Sequence, residues 1–218
     1  MITADLDSTL ARFGLSTRGA YHPAPGDPVT QNMGTIVLIG NKGHEMWRVF
    51  STAMANVPHP LDDWTRTVLT PIAADFGADA VFPFDGPPYY PFQRWAQAAD
   101  DVTPSPIGPL IHPEYGMWHA YRAAFLFKER LEIPETGEKS PSPCASCRDK
   151  PCLTTCPVGA FSGDGYDVPA CRTHIGSIAG EDCLTGGCLA RRACPVGREY
   201  IYKMPQAAFH MHHFLHAD

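Results

Sequence analysis

Eight cysteines lie between Cys144 and Cys194 of this 218-residue chain. The first four form one run, Cys144-Ala-Ser-Cys147-Arg-Asp-Lys-Pro-Cys152-Leu-Thr-Thr-Cys156-Pro157. The others, Cys171, Cys183, Cys188 and Cys194-Pro195, are more widely spaced. Eight thiols divide evenly into two four-thiolate sites, a donor set used both by iron–sulfur clusters and by structural zinc. Proline directly after Cys156 and Cys194 breaks the local chain and turns that thiolate away from its neighbours. Zinc ribbons prefer paired Cys-x-x-Cys knuckles, so the pattern favours clusters, with zinc as the alternative and a disulfide framework third.

The Cys152-x-x-x-Cys156-Pro157 ending resembles the bacterial ferredoxin run, whose Cys-Pro cysteine serves the other cluster. The string Cys156-Pro157-Val158-Gly159 is echoed by Cys194-Pro195-Val196-Gly197, as in two related half-motifs. The ferredoxin resemblance implies two 4Fe-4S clusters, one held by Cys144, Cys147, Cys152 and Cys194, the other by Cys156, Cys171, Cys183 and Cys188. The spacing departs from that pattern: four residues, not two, separate Cys147 from Cys152.

Something must position these thiols. Charged residues make up only 18% of the chain and the net charge is −6, which argues against a nucleic-acid surface. No apolar run reaches membrane length, and Met1-Ile-Thr-Ala-Asp-Leu-Asp lacks the pattern of a secretory leader, so a cytoplasmic protein without a membrane partner is expected. Twenty-two prolines and nineteen glycines imply many loops.

Residues 3 to 13 pattern as a short amphipathic helix through Leu6, Leu10 and Phe13. The passage from Tyr21 to Pro28 reads as loop, and Thr35-Ile-Val-Leu-Ile-Gly40 as a buried strand. His44 to Ala53 and Asp62 to Phe76 read as helices, the second kinked or ended at Pro71. Ala80 to Phe84 reads as a strand, Tyr89 to Ala99 as an aromatic-rich helix, 103 to 114 as loop, and Met117 to Phe127 as a strand. This alternation predicts a layered sandwich over residues 1–135. The polar stretch Glu135 to Pro143 predicts a linker, and residues 136–218 a small module that relies on its metal for stability. The fold class expected is α+β.

The stretch Ile107-Gly108-Pro-Leu-Ile-His112-Pro113-Glu-Tyr-Gly116-Met-Trp118-His-Ala-Tyr-Arg122 is the second informative segment. It resembles the CblC-type cobalamin-processing proteins, which carry glycine, histidine, tryptophan and arginine at these intervals. Tyr89-Tyr90 lies upstream at a distance similar to that family's tyrosine run. The resemblance covers roughly residues 10 to 135 and implies a nitroreductase-like α/β sandwich with a cobalamin pocket, here followed by a ferredoxin-like module. The family's later glutathione-binding arginines have no counterpart, and the cysteines occupy their place. A corrinoid domain before two clusters also resembles epoxyqueuosine reductase and reductive dehalogenases in layout.

These resemblances imply cofactor contacts from Tyr89, Tyr90, Gly108, His112, Gly116, Trp118 and Arg122. Aromatic side chains such as Tyr89, Tyr90, Phe92 and Trp95 would make the apolar floor a flat corrin needs, or simply pack the core. His112 could ligate cobalt, or shape its loop by bonding to backbone. Arg122 could meet a cofactor phosphate or amide, or pair with a nearby acid. Asn41-Lys42-Gly43 is a weak match to a phosphate turn and is discounted. Asp75, Asp79, Asp100 and Asp101 are candidate proton donors. The histidines at 210, 212, 213 and 216 read as a solvated terminus.

The function implied is that of an oxidoreductase, an iron–sulfur corrinoid reductase. It would deliver electrons from two 4Fe-4S clusters to cobalamin and remove its upper axial ligand. A flavodoxin or a ferredoxin reductase would supply the electrons. The alternatives are a ferredoxin-type electron carrier without catalysis of its own, and an epoxyqueuosine-reductase-like enzyme acting on a small substrate.

Overall fold

A computed structural model describes residues 2–27, 32–133, 139–163 and 165–217. The chain mixes helix and sheet, as an α+β protein, and divides into two compact units. The first comprises Met1–Asp101 and His119–Lys139; the second, Val102–Trp118 and Ser140–Asp218. Val102–Trp118 groups with the cysteines, whereas the expected division at residue 135 placed it with the sheet. Residues 134–138, most of the expected linker's start, lie outside the described residues.

The first unit is built on a four-stranded antiparallel sheet. Its spatial order is Ser16–Tyr21, Thr35–Lys42, His119–Phe127, Asp79–Val81. The two central strands read as near-continuous apolar runs because both their faces are covered. Thr35 pairs with Phe127 and Lys42 with His119. Ile36, Leu38, Ile39, Ala123, Ala124 and Phe125 are almost wholly shielded from water. The helices Ile2–Ala11, Glu45–Ala53, Pro60–Asp75 and Phe92–Ala99 contribute Leu6, Leu10, Met46, Phe50, Leu69 and Trp95 to that core.

Two local expectations are corrected. Pro71 neither ends nor replaces the helix Pro60–Asp75, which runs through it. A proline there removes one intrahelical bond, and burial of Leu69, Ile72 and Ala73 around it offsets the loss. The strand expected from Met117 begins at His119, after a turn in which the Trp118 N–H bonds to the Tyr115 carbonyl.

The edge strand Ser16–Tyr21 hides a cation. Arg18 is 4% exposed and pairs with Asp100 at 2.7 Å, while its other terminal nitrogen donates to the Asn41 carbonyl at 3.2 Å. Tyr121 donates to the same Asp100 oxygen at 2.7 Å, and its phenol is pushed well above its usual range by burial and then by that carboxylate. Removing one side of such a pair strands a buried charge. Arg18→Met is therefore expected to cost about 3–5 kcal/mol, read from urea unfolding. The double variant Arg18→Met/Asp100→Asn should recover part of that loss.

The second unit has short elements: helices Pro143–Ser146, Pro151–Thr154, Val168–Ile175, Glu181–Gly186 and Leu189–Arg192, then a longer helix Met204–His216. The histidine tail, expected as a solvated terminus, is that last helix. It packs on Glu181–Gly186 and Val168–Ile175 and buries Gln206 and Ala207. Among the described residues no helix is long and apolar enough to cross a membrane.

Candidate metal centre

Four of the cysteines surround one cavity. Cys144, Cys147, Cys152 and Cys194 line a space of about 260 Å³, walled by Ile111, Met117 and Val196. Cys144 and Cys147 come from the first turn of the module, Cys152 from the helix Pro151–Thr154, and Cys194 from the chain's later Cys-Pro string. Cys152 and Cys194 are buried, and Cys144 and Cys147 partly so. Burial pushes the Cys144 thiol up, and Cys194, Cys152 and Cys147 push it further as like charges; a bond from Ser142 opposes them. Cys152 is raised by burial and by Cys194 and Cys147, against the N–H groups of residues 152 and 153, which favour its thiolate.

Cys183 and Cys188, of the remaining four, have raised thiols as well. Burial raises the Cys188 thiol, the N–H groups of Arg191 and Ala190 oppose it, and Cys171 and Cys183 raise it again. Cys183 is raised by burial and opposed by the Leu189 N–H, with Cys171 among its further neighbours. Cys156 accepts from the Ala160 N–H at 3.4 Å. The Tyr166 hydroxyl stands against Cys171, with Cys188 and Cys156 close by. All eight cysteines are free thiols, so no disulfide framework forms. Among the described residues, no three His, Cys, Asp or Glu side chains converge tightly enough to hold a single metal ion.

The motif around His112 builds a wall of the first cavity. The turn from His112 to Gly116 is closed by two backbone bonds, His112 N–H to Gly116 O at 2.9 Å and Gly116 N–H to His112 O at 3.0 Å. Ile107, Ile111 and Met117 pack with Cys152, Ala190 and Cys194 in one apolar cluster. A Cβ on Gly116 would lie 2.2 Å from the Val196 carbonyl oxygen, and one on Gly197 would lie 2.3 Å from the Tyr115 carbonyl carbon. Two glycine turns, both at positive φ, thus lock the His112–Gly116 loop onto the Cys-Pro-Val-Gly string. Trp118 is buried against Tyr202 at 5.4 Å, and the Arg191 guanidinium lies 4.4 Å from one ring and 4.9 Å from the other. Its terminal nitrogen bonds to the Met117 carbonyl.

The seven residues expected at a cofactor are therefore not brought together in one unit. Gly108, His112, Gly116 and Trp118 lie in the second; Tyr89, Tyr90 and Arg122 lie in the first. Gly116 and Trp118 pack within the cysteine unit. Phe92 and Trp95 are core residues: Trp95 is fully buried and its indole N–H bonds to Asp27. Tyr90 leans on Trp95 at 5.6 Å, whereas Tyr89 is 65% exposed. Arg122 donates from Nε to the Asn41 side chain at 2.9 Å, and Asn41 sits within a buried strand, not a phosphate turn.

His112 has a backbone task. Its Nδ1 accepts from the Glu114 N–H at 3.0 Å and the Tyr115 N–H at 3.3 Å, and its ring stacks on Tyr115 at 4.1 Å. With Nδ1 accepting, the neutral ring carries its proton on Nε2, and a lone pair for a metal is lacking there. His112→Asn keeps an acceptor near Nδ1 and is expected to leave thermal unfolding nearly unchanged. His112→Ala should cost about 1–2 kcal/mol in thermal unfolding, through two unsatisfied N–H groups.

Sequence reasoning missed Tyr166, Arg191, Val196, Gly197 and Tyr202. The repeated Cys-Pro-Val-Gly string was the one signal that pointed toward two of them.

The fold thus defined is α+β, with an antiparallel sheet unit and a cysteine-rich unit. Several solved structures share it. A selenomethionine-labelled epoxyqueuosine reductase superposes with a TM-score of 0.59 at 14% identity, over 94% of this chain and 68% of that one. The C. elegans B12-trafficking protein CblC gives 0.54 at 14% identity, over 96% and 90%. Epoxyqueuosine reductase with a tRNA-Tyr stem loop gives 0.52 at 14% identity, over 100% and 68%. No family model matches the chain, and no curated protein matches it in sequence.

Proposed function

We propose that this protein is an iron–sulfur corrinoid reductase, an oxidoreductase in which two 4Fe-4S clusters serve a bound cobalamin. The observation that carries the reading is the cavity lined by Cys144, Cys147, Cys152 and Cys194. A zinc ion draws four thiolates to within roughly 4 Å of one another, given zinc–sulfur bonds of about 2.3 Å. Here four cysteines line a space of about 260 Å³, which offers room for a polyatomic cluster. Donation from Cys194, distant in sequence from the other three, reproduces the ferredoxin-like exchange of one ligand. By the same logic Cys156, Cys171, Cys183 and Cys188 hold the second cluster. When bound, the clusters supply single electrons at low potential, and cobalamin supplies the metal from which an upper ligand such as cyanide or an alkyl group is released.

This chain's own residues prepare that chemistry in three ways. Backbone N–H groups at residues 153, 189, 190 and 191 donate to cysteine sulfurs and stabilise their charged forms, and the Ala160 N–H donates to Cys156. Ile111 and Met117 give the first cavity apolar walls, and Ile107 packs with them, Cys152 and Cys194 in one cluster. The fold shared with CblC supports placing the corrin in the sheet unit, where Tyr89, Tyr90 and Arg122 remain its candidate contacts.

The test is anaerobic reconstitution with iron and sulfide, followed by metal and sulfide counts and titration with hydroxocobalamin and cyanocobalamin. The expected result is about eight irons per chain, a spectral shift of the corrin, and co-elution in gel filtration. Zinc without sulfide would overturn the clusters, and absence of corrin binding would overturn the reductase. A second reading, an epoxyqueuosine-reductase-like enzyme on a small substrate, draws support from the fold shared with that enzyme. Nucleic acid is left out on the net charge of −6, and a tRNA-binding arm in the same experiment checks that omission.

A further inference from the structure

The stretched spacing between Cys147 and Cys152 puts Lys150 and Pro151 on the edge of the first cavity. That cavity has a closed floor and an open rim. Ile111, Met117, Cys152 and Cys194 line it and are buried, whereas Pro106, Ser146, Lys150 and Pro195 line it and are exposed. Among the described residues of the lining, Lys150 alone carries a fixed charge. Its backbone lies at φ 37 and ψ 59, in the left-handed region, directly before Pro151. Glycine adopts that conformation freely, and a following proline favours extended backbone instead. A lysine there strains the fold where glycine would not, and strained residues of this kind gather at functional sites. Arg148, exposed two residues earlier, adds a second cation, and among the described residues neither forms an ion pair. Asp149 between them is exposed too and offsets one charge. The loop stays positive on a chain whose net charge is −6.

We propose that this rim, Lys150 with Arg148 beside it and the exposed Pro106 and Pro195, is the docking surface of an acidic one-electron donor protein, and that electrons enter across it. This inference rests on the cluster reading above and adds the point of entry. Opposite charge steers a partner toward a small exposed patch, and the net negative charge of the whole chain discourages other approaches. The prolines give the patch rigid apolar area beside the cation, so docking orders little backbone. In the step itself the donor loses one electron and the cluster of Cys144, Cys147, Cys152 and Cys194 gains it, passing from the 2+ to the 1+ state. No bond breaks and no proton moves.

The experiment measures binding of an acidic flavodoxin to the loaded full-length chain, and the rate at which the hydroquinone form of that flavodoxin reduces it. Lys150→Glu is compared with Arg48→Glu, which makes the same charge change on the helix Glu45–Ala53 of the sheet unit. At about 0.01 M salt, Lys150→Glu should weaken binding and slow reduction roughly tenfold, and the difference should fade at about 1 M salt. Arg48→Glu should leave both near wild type. Reduced methyl viologen, a small cation, should reduce every chain without that loss. Lys150→Gly removes the charge and the strain together, so it should keep iron and sulfide and still bind flavodoxin more weakly. Full iron and sulfide with unchanged flavodoxin binding in both Lys150 variants, an equal loss in Arg48→Glu, or a loss that methyl viologen shares overturns the docking surface alone. A chain that takes up zinc without sulfide overturns the cluster reading, and the entry route with it.

Discussion

Gly116→Ala is expected to strip the cysteine unit of iron and lower its stability by about 2–5 kcal/mol. Gly116 sits at φ +57 and its added Cβ would lie 2.2 Å from the Val196 oxygen. The left-handed conformation costs a side-chain-bearing residue about 1–2 kcal/mol, and forcing an atom into a packed contact adds about 1–3 kcal/mol. Val196 is backbone and cannot swing aside; it can yield only by moving the Cys194-Pro195 string. That movement displaces a ligand of the first cavity, so iron should fall toward half while stability falls. Gly108→Ala is the control. Its φ of +101 strains any side chain, but nothing lies within 4 Å of the added carbon, so it should lose stability and keep its iron. The pair separates two roles for the motif. Were Gly116 a contact of the corrin alone, its alanine variant would lose cobalamin binding with iron and sulfide intact.

The same residues show what the sequence made legible. Runs such as Thr35 to Gly40 and Met117 to Phe127 announce buried strands because both faces are covered; the first falls where periodicity puts it, and the second begins two residues later, at His119. The edge strand Ser16–Tyr21 gave no such signal. Its composition, Ser-Thr-Arg-Gly-Ala-Tyr, reads as surface until Asp100, eighty-two residues away, accepts the Arg18 guanidinium. The last helix was hidden for a similar reason. Four histidines suggest solvent, and His212, His213 and His216 are exposed, but Tyr202 meets the His210 ring and Phe214 joins an aromatic stack begun at Phe161.

The candidate site was half legible. Cysteine count and the two Cys-Pro strings pointed to two groups, since ligand spacing is local. The wall of the first cavity was not, because Gly116 and Gly197 meet only in the folded chain. A motif that looks continuous from Ile107 to Arg122 is split by the fold at Trp118 and His119, its first part serving the cysteines and its last part the sheet. A one-dimensional pattern carries no mark of that division.

The largest expected effects come from the cysteines themselves. Cys194→Ser should lower iron from about eight to about four per chain, and so should Cys144→Ser. If the two serve one cluster, the double variant Cys144→Ser/Cys194→Ser should retain the same half, because a site lost once cannot be lost again. Combining Cys194→Ser with Cys171→Ser should instead remove nearly all iron, since each variant then disables a different site. Were clusters held by consecutive cysteines, with Cys194 grouped with Cys171, Cys183 and Cys188, the two double variants would exchange outcomes. The geometry argues for the crossed arrangement: Cys194 borders the same cavity as Cys144, Cys147 and Cys152, while Cys171 is the neighbour felt by Cys183 and Cys188. Crossing has a physical consequence as well. Each cluster then ties the Cys144–Cys156 run to the Cys171–Cys194 run, so loss of either should loosen both, and thermal unfolding of each single variant should begin well below that of the loaded wild type.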